Sequence, residues 1–70
     1  MTQEDIDVRF TYHAPKPGQP DKYKAIRDLA KQLAYLINDL CPDCREQSLA
    51  ITELESSVMW ANASIARHGG

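Results

Sequence analysis

Apolar residues recur along two stretches of this chain at the spacing of a helix. Ile26, Leu29, Leu33, Leu36 and Leu40 follow one another in steps of three and four, and Ala30 and Ile37 widen the stripe. Ile51, Leu54, Val58, Ala61 and Ile65 repeat that rhythm within Ser48–His68. Such spacing keeps a run of side chains on one face of a helix with 3.6 residues per turn. The opposite side of the second stretch carries Leu49, Thr52, Ser56, Trp60, Ala63 and Arg67, a large aromatic among small residues. One face of each helix is served by the other helix, and the second face calls for a further neighbour.

Punctuation sets the limits of these elements. Pro20 suits the first position of a helix, where its missing N–H costs nothing, and Asp21 complements the helix dipole. The residue before a proline is pushed out of the α region, so Cys41-Pro42 predicts the end of a first helix spanning 20–40. Asp43 followed by Glu46 has the form of a capping box and predicts a second helix over 43–67, stopped by Gly69 and Gly70. A connection of two or three residues makes the helices antiparallel neighbours.

Ahead of them, residues 1–8 are polar and acidic and are expected to be a mobile end. Arg9-Phe10-Thr11-Tyr12 alternates with period two, predicting a short extended arm. The stretch HAPKPGQP is a loop on its prolines and glycine, stiff enough to hold the arm near the first helix. The expected fold is all-α: a single domain over 1–70, made of a two-helix hairpin with arm and loop over 1–19.

Length changes the picture first. Seventy residues bury too little surface for a comfortable core without disulfides, a metal or partner chains, so assembly with copies of itself is the expected remedy. Net charge is −2, which gives no bulk attraction to DNA, RNA or an anionic membrane. The distribution is uneven. Arg9, Lys16, Lys22, Lys24, Arg27 and Lys31 face only Asp21 and Asp28 between residues 9 and 31, while both flanks are acidic. No apolar run reaches the roughly 18–20 residues of a membrane span, and the acidic start lacks the features of a secretory signal. A cytoplasmic protein with two reduced cysteines is expected.

Candidate chemistry is sparse. Lys24, Arg27 and Lys31 share the outer side of the first helix, with Tyr35 alongside, and such like charges repel one another unless an anion or solvent relieves them. A solvated face accounts for the three cations taken alone. Phe10, Tyr12 and His13 add flat rings on a tether next to them, and rings with cations are what a nucleotide needs for its base and its phosphate. Cys41-x-x-Cys44 with His13 and His68 reaches a zinc ligand count, yet the histidines lack the close spacing of zinc sites, and the first cysteine ends a helix instead of opening one. Structural cysteines at a turn are the expected role, with no metal and no cofactor. Asn62 borders the apolar stripe, either fixing helix register by a buried hydrogen bond or standing at an exposed edge. No nucleophile is paired with a histidine by motif and no glycine-rich phosphate loop is present, so the chain is not expected to be an enzyme.

RFTYHAPKPGQPDKYKAIRDLAKQLAYLI and CPDCREQSLAITELESSVMWANASIAR together resemble the helical-hairpin domain of phage anti-defence sponges, the anti-CBASS sponge and the related Thoeris anti-defence proteins. The resemblance spans residues 9–67. It is carried by Arg9-Phe10-x-Tyr12-x-x-Pro15, by Tyr23-x-x-Ile26-Arg27, by the turn through Arg45-Glu46-x-Ser48-Leu49-Ala50, and by Val58-Met59-Trp60-Ala61-Asn62-Ala63-x-Ile65-Ala66-Arg67. Cys44 stands where the turn motif has serine. The resemblance implies a hexameric, non-enzymatic protein of the infected bacterial cytoplasm that binds cyclic di- or trinucleotide signals between protomers and holds them intact.

By the same resemblance, Tyr12 stacks on a base, and Arg27 with Lys24 one turn away supplies the basic partner. Arg67 lies at a separate site near a symmetry axis, for cyclic trinucleotides. The chain lacks the second domain of the Thoeris members, which favours cyclic oligonucleotides over cyclic ADP-ribose isomers. Two alternatives remain: a cyclic ADP-ribose sponge of the same build, and a helical adaptor that binds a partner helix and no nucleotide.

Overall fold

A computed structural model describes residues 1–69, which form three helices and no strand: α1 (Gln3–Phe10), α2 (Gln19–Leu40) and α3 (Arg45–His68). The fold is all-α, as the periodicities of the two long segments predict. Its N-terminal part departs from expectation. Residues 3–10 are helical and not a mobile end, and Arg9 and Phe10 lie inside α1, so the extended segment begins only at Thr11. The reason is a reciprocal cap. Asp5 N–H donates to Thr2 Oγ1 at 3.1 Å, and Thr2 N–H donates to Asp5 Oδ2 at 3.2 Å, which satisfies two donors that a helix start otherwise leaves open. Ile6, Val8 and Phe10 alternate in sequence, but on a helix Ile6 and Phe10 are one turn apart.

α2 is entered from Gly18, whose φ of 85° lies in the left-handed region that favours glycine. This makes Gln19 the first helical residue and Pro20 the second, one place later than expected. At the other end Cys41 takes an extended conformation, and its N–H closes on the Ile37 carbonyl at 2.9 Å. α3 opens from Cys44, not Asp43, and no side chain caps it, so the box of Asp43 and Glu46 does not form. The residue three places beyond this cap is Gln47, and its amide is spent elsewhere. Gln47 Nε2 donates to the Cys41 carbonyl at 3.0 Å and, at 3.4 Å, to that of Asn38. The start of α3 thus closes the end of α2.

The mirror arrangement holds at the other end of the hairpin. Gln19 Nε2 donates to the carbonyls of Ile65 (3.2 Å) and Gly69 (2.5 Å), while Lys16 N–H donates to Gln19 Oε1 at 2.9 Å. Gly69 ends α3 because the chain returns tightly: a Cβ there would stand 2.6 Å from the Ile65 carbonyl oxygen. Gly70, expected to share that role, lies outside the described residues.

Between these two clasps α2 and α3 pack side by side in a body 45 × 30 × 12 Å, a single helix layer thick. One layer cannot enclose a core. Among the described residues no hydrophobic side chain is buried, and Gln19 alone is. The accessible surface is 5782 Å², against about 4,400 Å² for a compact monomer of this mass. Leu29, Leu33, Leu36, Leu40 and Trp60 are among the large apolar residues left open.

Candidate functional site

Two antiparallel helices in one layer leave a groove on each side of their seam. On one side Leu29, Leu33 and Leu36 of α2 and Leu54, Val58 and Ala61 of α3 line a wholly non-charged groove of about 610 Å³. On the other, a groove of about 350 Å³ runs between Arg27 and Lys31 of α2 and Ile51, Glu55 and Met59 of α3. The second combines two cations one turn apart with an apolar floor and one carboxylate. That is a surface able to hold an anion with a flat or apolar body beside it.

The four residues singled out from the sequence are not gathered by one chain. Arg27 lines the charged groove. Lys24, one turn nearer the start of α2, is spoken for: its ammonium meets Asp28 Oδ2 at 2.5 Å on an exposed face. This pairing, with Arg27 and Lys31 nearby, holds the Asp28 carboxyl below the usual carboxylate range. The basic face therefore carries its own counter-ion, and its Arg27 and Lys31 make no side-chain ion pair among the described residues.

Tyr12 lies on the segment between α1 and α2, is 84% exposed, and lines neither groove. Its neighbour His13 is half-buried, and His13 Nε2 donates to the Val8 carbonyl at 2.8 Å, tying the segment back onto α1. Arg67 sits half-buried in the last turn of α3. Ile65 and Gly69 on either side of it lie against Gln19, which is eight residues from Arg27 and so about 12 Å along the helix axis. Arg67 and Arg27 thus belong to different regions of the hairpin.

Met59 and Glu55 were not legible as site residues. They follow Ile51 of the apolar stripe on an i, i+4, i+8 row that leads off its edge, a row that becomes a groove wall only once α2 is laid against it. Asn62 meets neither expectation: it is half-buried, and its Oδ1 is enclosed with no partner among the described residues. Cys41 and Cys44 are free thiols, both exposed, and no three of the described His, Cys, Asp and Glu side chains cluster around a possible metal position. No helix of the described residues is long and apolar enough to cross a membrane.

Searches of curated proteins and of solved structures find no match to this chain. A family model does match, that of the Acb2/Tad1 hairpin domain, over residues 2–66. That span takes in α1, both clasps' glutamines, the charged groove and all but the last two residues of α3. With a model fitting nearly its whole length, the chain belongs to the Acb2/Tad1 hairpin family of anti-CBASS and anti-Thoeris sponges.

Proposed function

We propose that the protein binds cyclic oligonucleotide immune signals, cyclic dinucleotides first and cyclic trinucleotides at a second site, and holds them intact in the cytoplasm of a phage-infected bacterium. Withdrawing the signal from its effectors blocks CBASS-type defence without any chemical step. The observation that carries this reading is membership of a sponge family across residues 2–66.

The physical features of the chain support it. The hairpin leaves about 1,400 Å² more surface open than a compact monomer of its mass, and a standard interface covers about 800 Å² per partner. Copies of the chain, six on the family pattern, therefore cover the Leu29, Leu33 and Leu36 face and the Trp60 face. Pockets formed where copies meet bring together residues that one chain holds apart: Tyr12 from one protomer, and Arg27 with Lys24 from another. Stacking on the Tyr12 ring contributes on the order of 1–3 kcal/mol per base. Phosphates enclosed between protomers gain charge-assisted bonds that are stronger for the loss of water. Arg67, in its separate region, serves the trinucleotide near a symmetry axis.

Calorimetry with cyclic GMP–AMP, cyclic di-GMP, cyclic tri-adenylate and a cyclic ADP-ribose isomer tests the proposal. Uptake of one of the first three, and its recovery unaltered after heating, is the expected result. Binding of the cyclic ADP-ribose isomer alone would move the protein to the Thoeris side of the family. Binding of none, or a cleaved product, would overturn the proposal.

A further inference from the structure

We infer that His13 is the positioning residue for Tyr12, closing the backbone from which its ring projects before any ligand arrives; this rests on the dinucleotide reading above. Tyr12 is 84% exposed, so almost nothing packs against the ring, and its direction is inherited from the backbone that carries it. That backbone is held from both sides. Upstream, α1 is closed at its start by the Thr2 and Asp5 cap and runs to Phe10. Its last carbonyls are left without helical partners, and that of Val8 accepts from His13 Nε2 at 2.8 Å. The bond turns Val8–His13 into a closed loop with Tyr12 inside it. Downstream, two prolines at 15 and 17 stiffen the chain, and at Lys16 it is bonded to Gln19 in both directions, backbone to backbone at 3.0 Å and backbone to side chain at 2.9 Å. Gln19 is in turn fastened to the end of α3. The backbone that carries Tyr12 is therefore closed onto the end of α1 on one side and fastened to α2 and α3 on the other.

A ring carried on such a backbone has only its own side-chain rotation left to order when a base stacks, and ordering a mobile loop is a recognised further cost of association. The geometry also says which atom matters. The acceptor is a carbonyl, so His13 must present an N–H at Nε2. Glutamine places an amide N–H at similar reach from Cβ, whereas asparagine falls one bond short.

The test is calorimetric titration of the full chain with cyclic GMP–AMP, comparing wild type with His13→Ala, His13→Asn and His13→Gln at matched helix content and matched mass in solution. The expected result is a loss of roughly threefold to tenfold in affinity for the Ala and Asn variants, with the Gln variant restored to about the wild-type value. Should His13→Ala fail to fold, the Asn and Gln variants carry the comparison, since both keep a polar carboxamide. Wild-type affinity in His13→Asn, or a loss in His13→Gln equal to that in His13→Asn, overturns the inference. A wild-type chain that takes up no cyclic GMP–AMP overturns the dinucleotide reading itself, and the inference with it, before any variant is compared.

Discussion

Gln19 Nε2 donates to the carbonyl of Ile65, 46 residues further along the chain. The first residue of α2 is thereby joined to the last turn of α3, at the end of the hairpin opposite the turn. Three bonds to backbone groups converge on this one side chain, and it is the only buried residue among those described. With no apolar residue buried among those described, such a clasp counts for more than it would in a large domain.

Replacing Gln19 by Ala removes three hydrogen bonds, although the Ile65 carbonyl still accepts from Gly69 N–H. Each lost bond is worth about 1 kcal/mol net, so a destabilisation of about 1–3 kcal/mol is expected. At about 4–8 °C per kcal/mol for a domain of this size, the melting midpoint should fall clearly in a circular dichroism scan. Gln19→Glu should do no better, because a carboxylate cannot donate to the Ile65 and Gly69 carbonyls. Gln47→Ala, at the exposed clasp, should cost less.

Asp28 gives a pH dependence of known sign. Its folded-state pKa is depressed, first by the hydrogen bond from Lys24. The stability it contributes is therefore present above the unfolded carboxylate range and is lost as pH falls through the lower, folded value. Asp5, lowered by its bonds with Thr2, acts in the same direction on α1. Asp28→Asn should flatten the acid limb of the melting curve between roughly pH 5 and 2. It should also strengthen binding of cyclic GMP–AMP at neutral pH, since Lys24 is released and a negative charge is removed from the basic face. Weaker binding in that variant would place the phosphate elsewhere.

The two long helices and the all-α class are written plainly in the sequence, because each apolar stripe persists over five positions and is bounded by proline or glycine. α1 is not, because residues 1–8 are mostly polar and acidic, Arg9–Tyr12 alternates like a strand, and the segment is too short for a helical period to show. The sign that would have found it is local: Thr2 and Asp5 have the capping-box spacing. The same pattern at Asp43 and Glu46 misled, since α3 opens one residue later and Gln47 turns to α2. Both glutamine clasps depend on which helix ends meet, which no spacing within one helix records. The site divides likewise. Arg27 and Lys31 share a face by their i, i+4 spacing, but the Ile51, Glu55 and Met59 wall exists only in the register of the pair.

Tyr12→Ala should leave folding and assembly intact, because the ring touches neither groove. If the ring stacks on a base, the variant should lose on the order of 1–3 kcal/mol of dinucleotide affinity, about 5-fold to 150-fold. Tyr12→Phe, with its π-face unchanged, should retain most of it. Calorimetry and light scattering on the same samples separate the two effects. An unchanged affinity in the Ala variant removes Tyr12 from the site.

Trp60 offers the sharpest check on assembly. In the single hairpin it is 70% exposed, opposite the stripe that α2 covers, so truncating it should scarcely alter the stability of an isolated chain. In an oligomer built on that face the indole is a buried anchor, and such residues commonly cost 2 kcal/mol or more when cut to alanine. Trp60→Ala should therefore dissociate at protein concentrations where wild type stays assembled, with a lower mass by light scattering. Its melting midpoint should also depend more steeply on concentration, as expected when folding is linked to association. Mass and midpoint both unchanged on dilution would mean that this face is open in solution, and that pockets between protomers are built on the Leu29, Leu33 and Leu36 face instead.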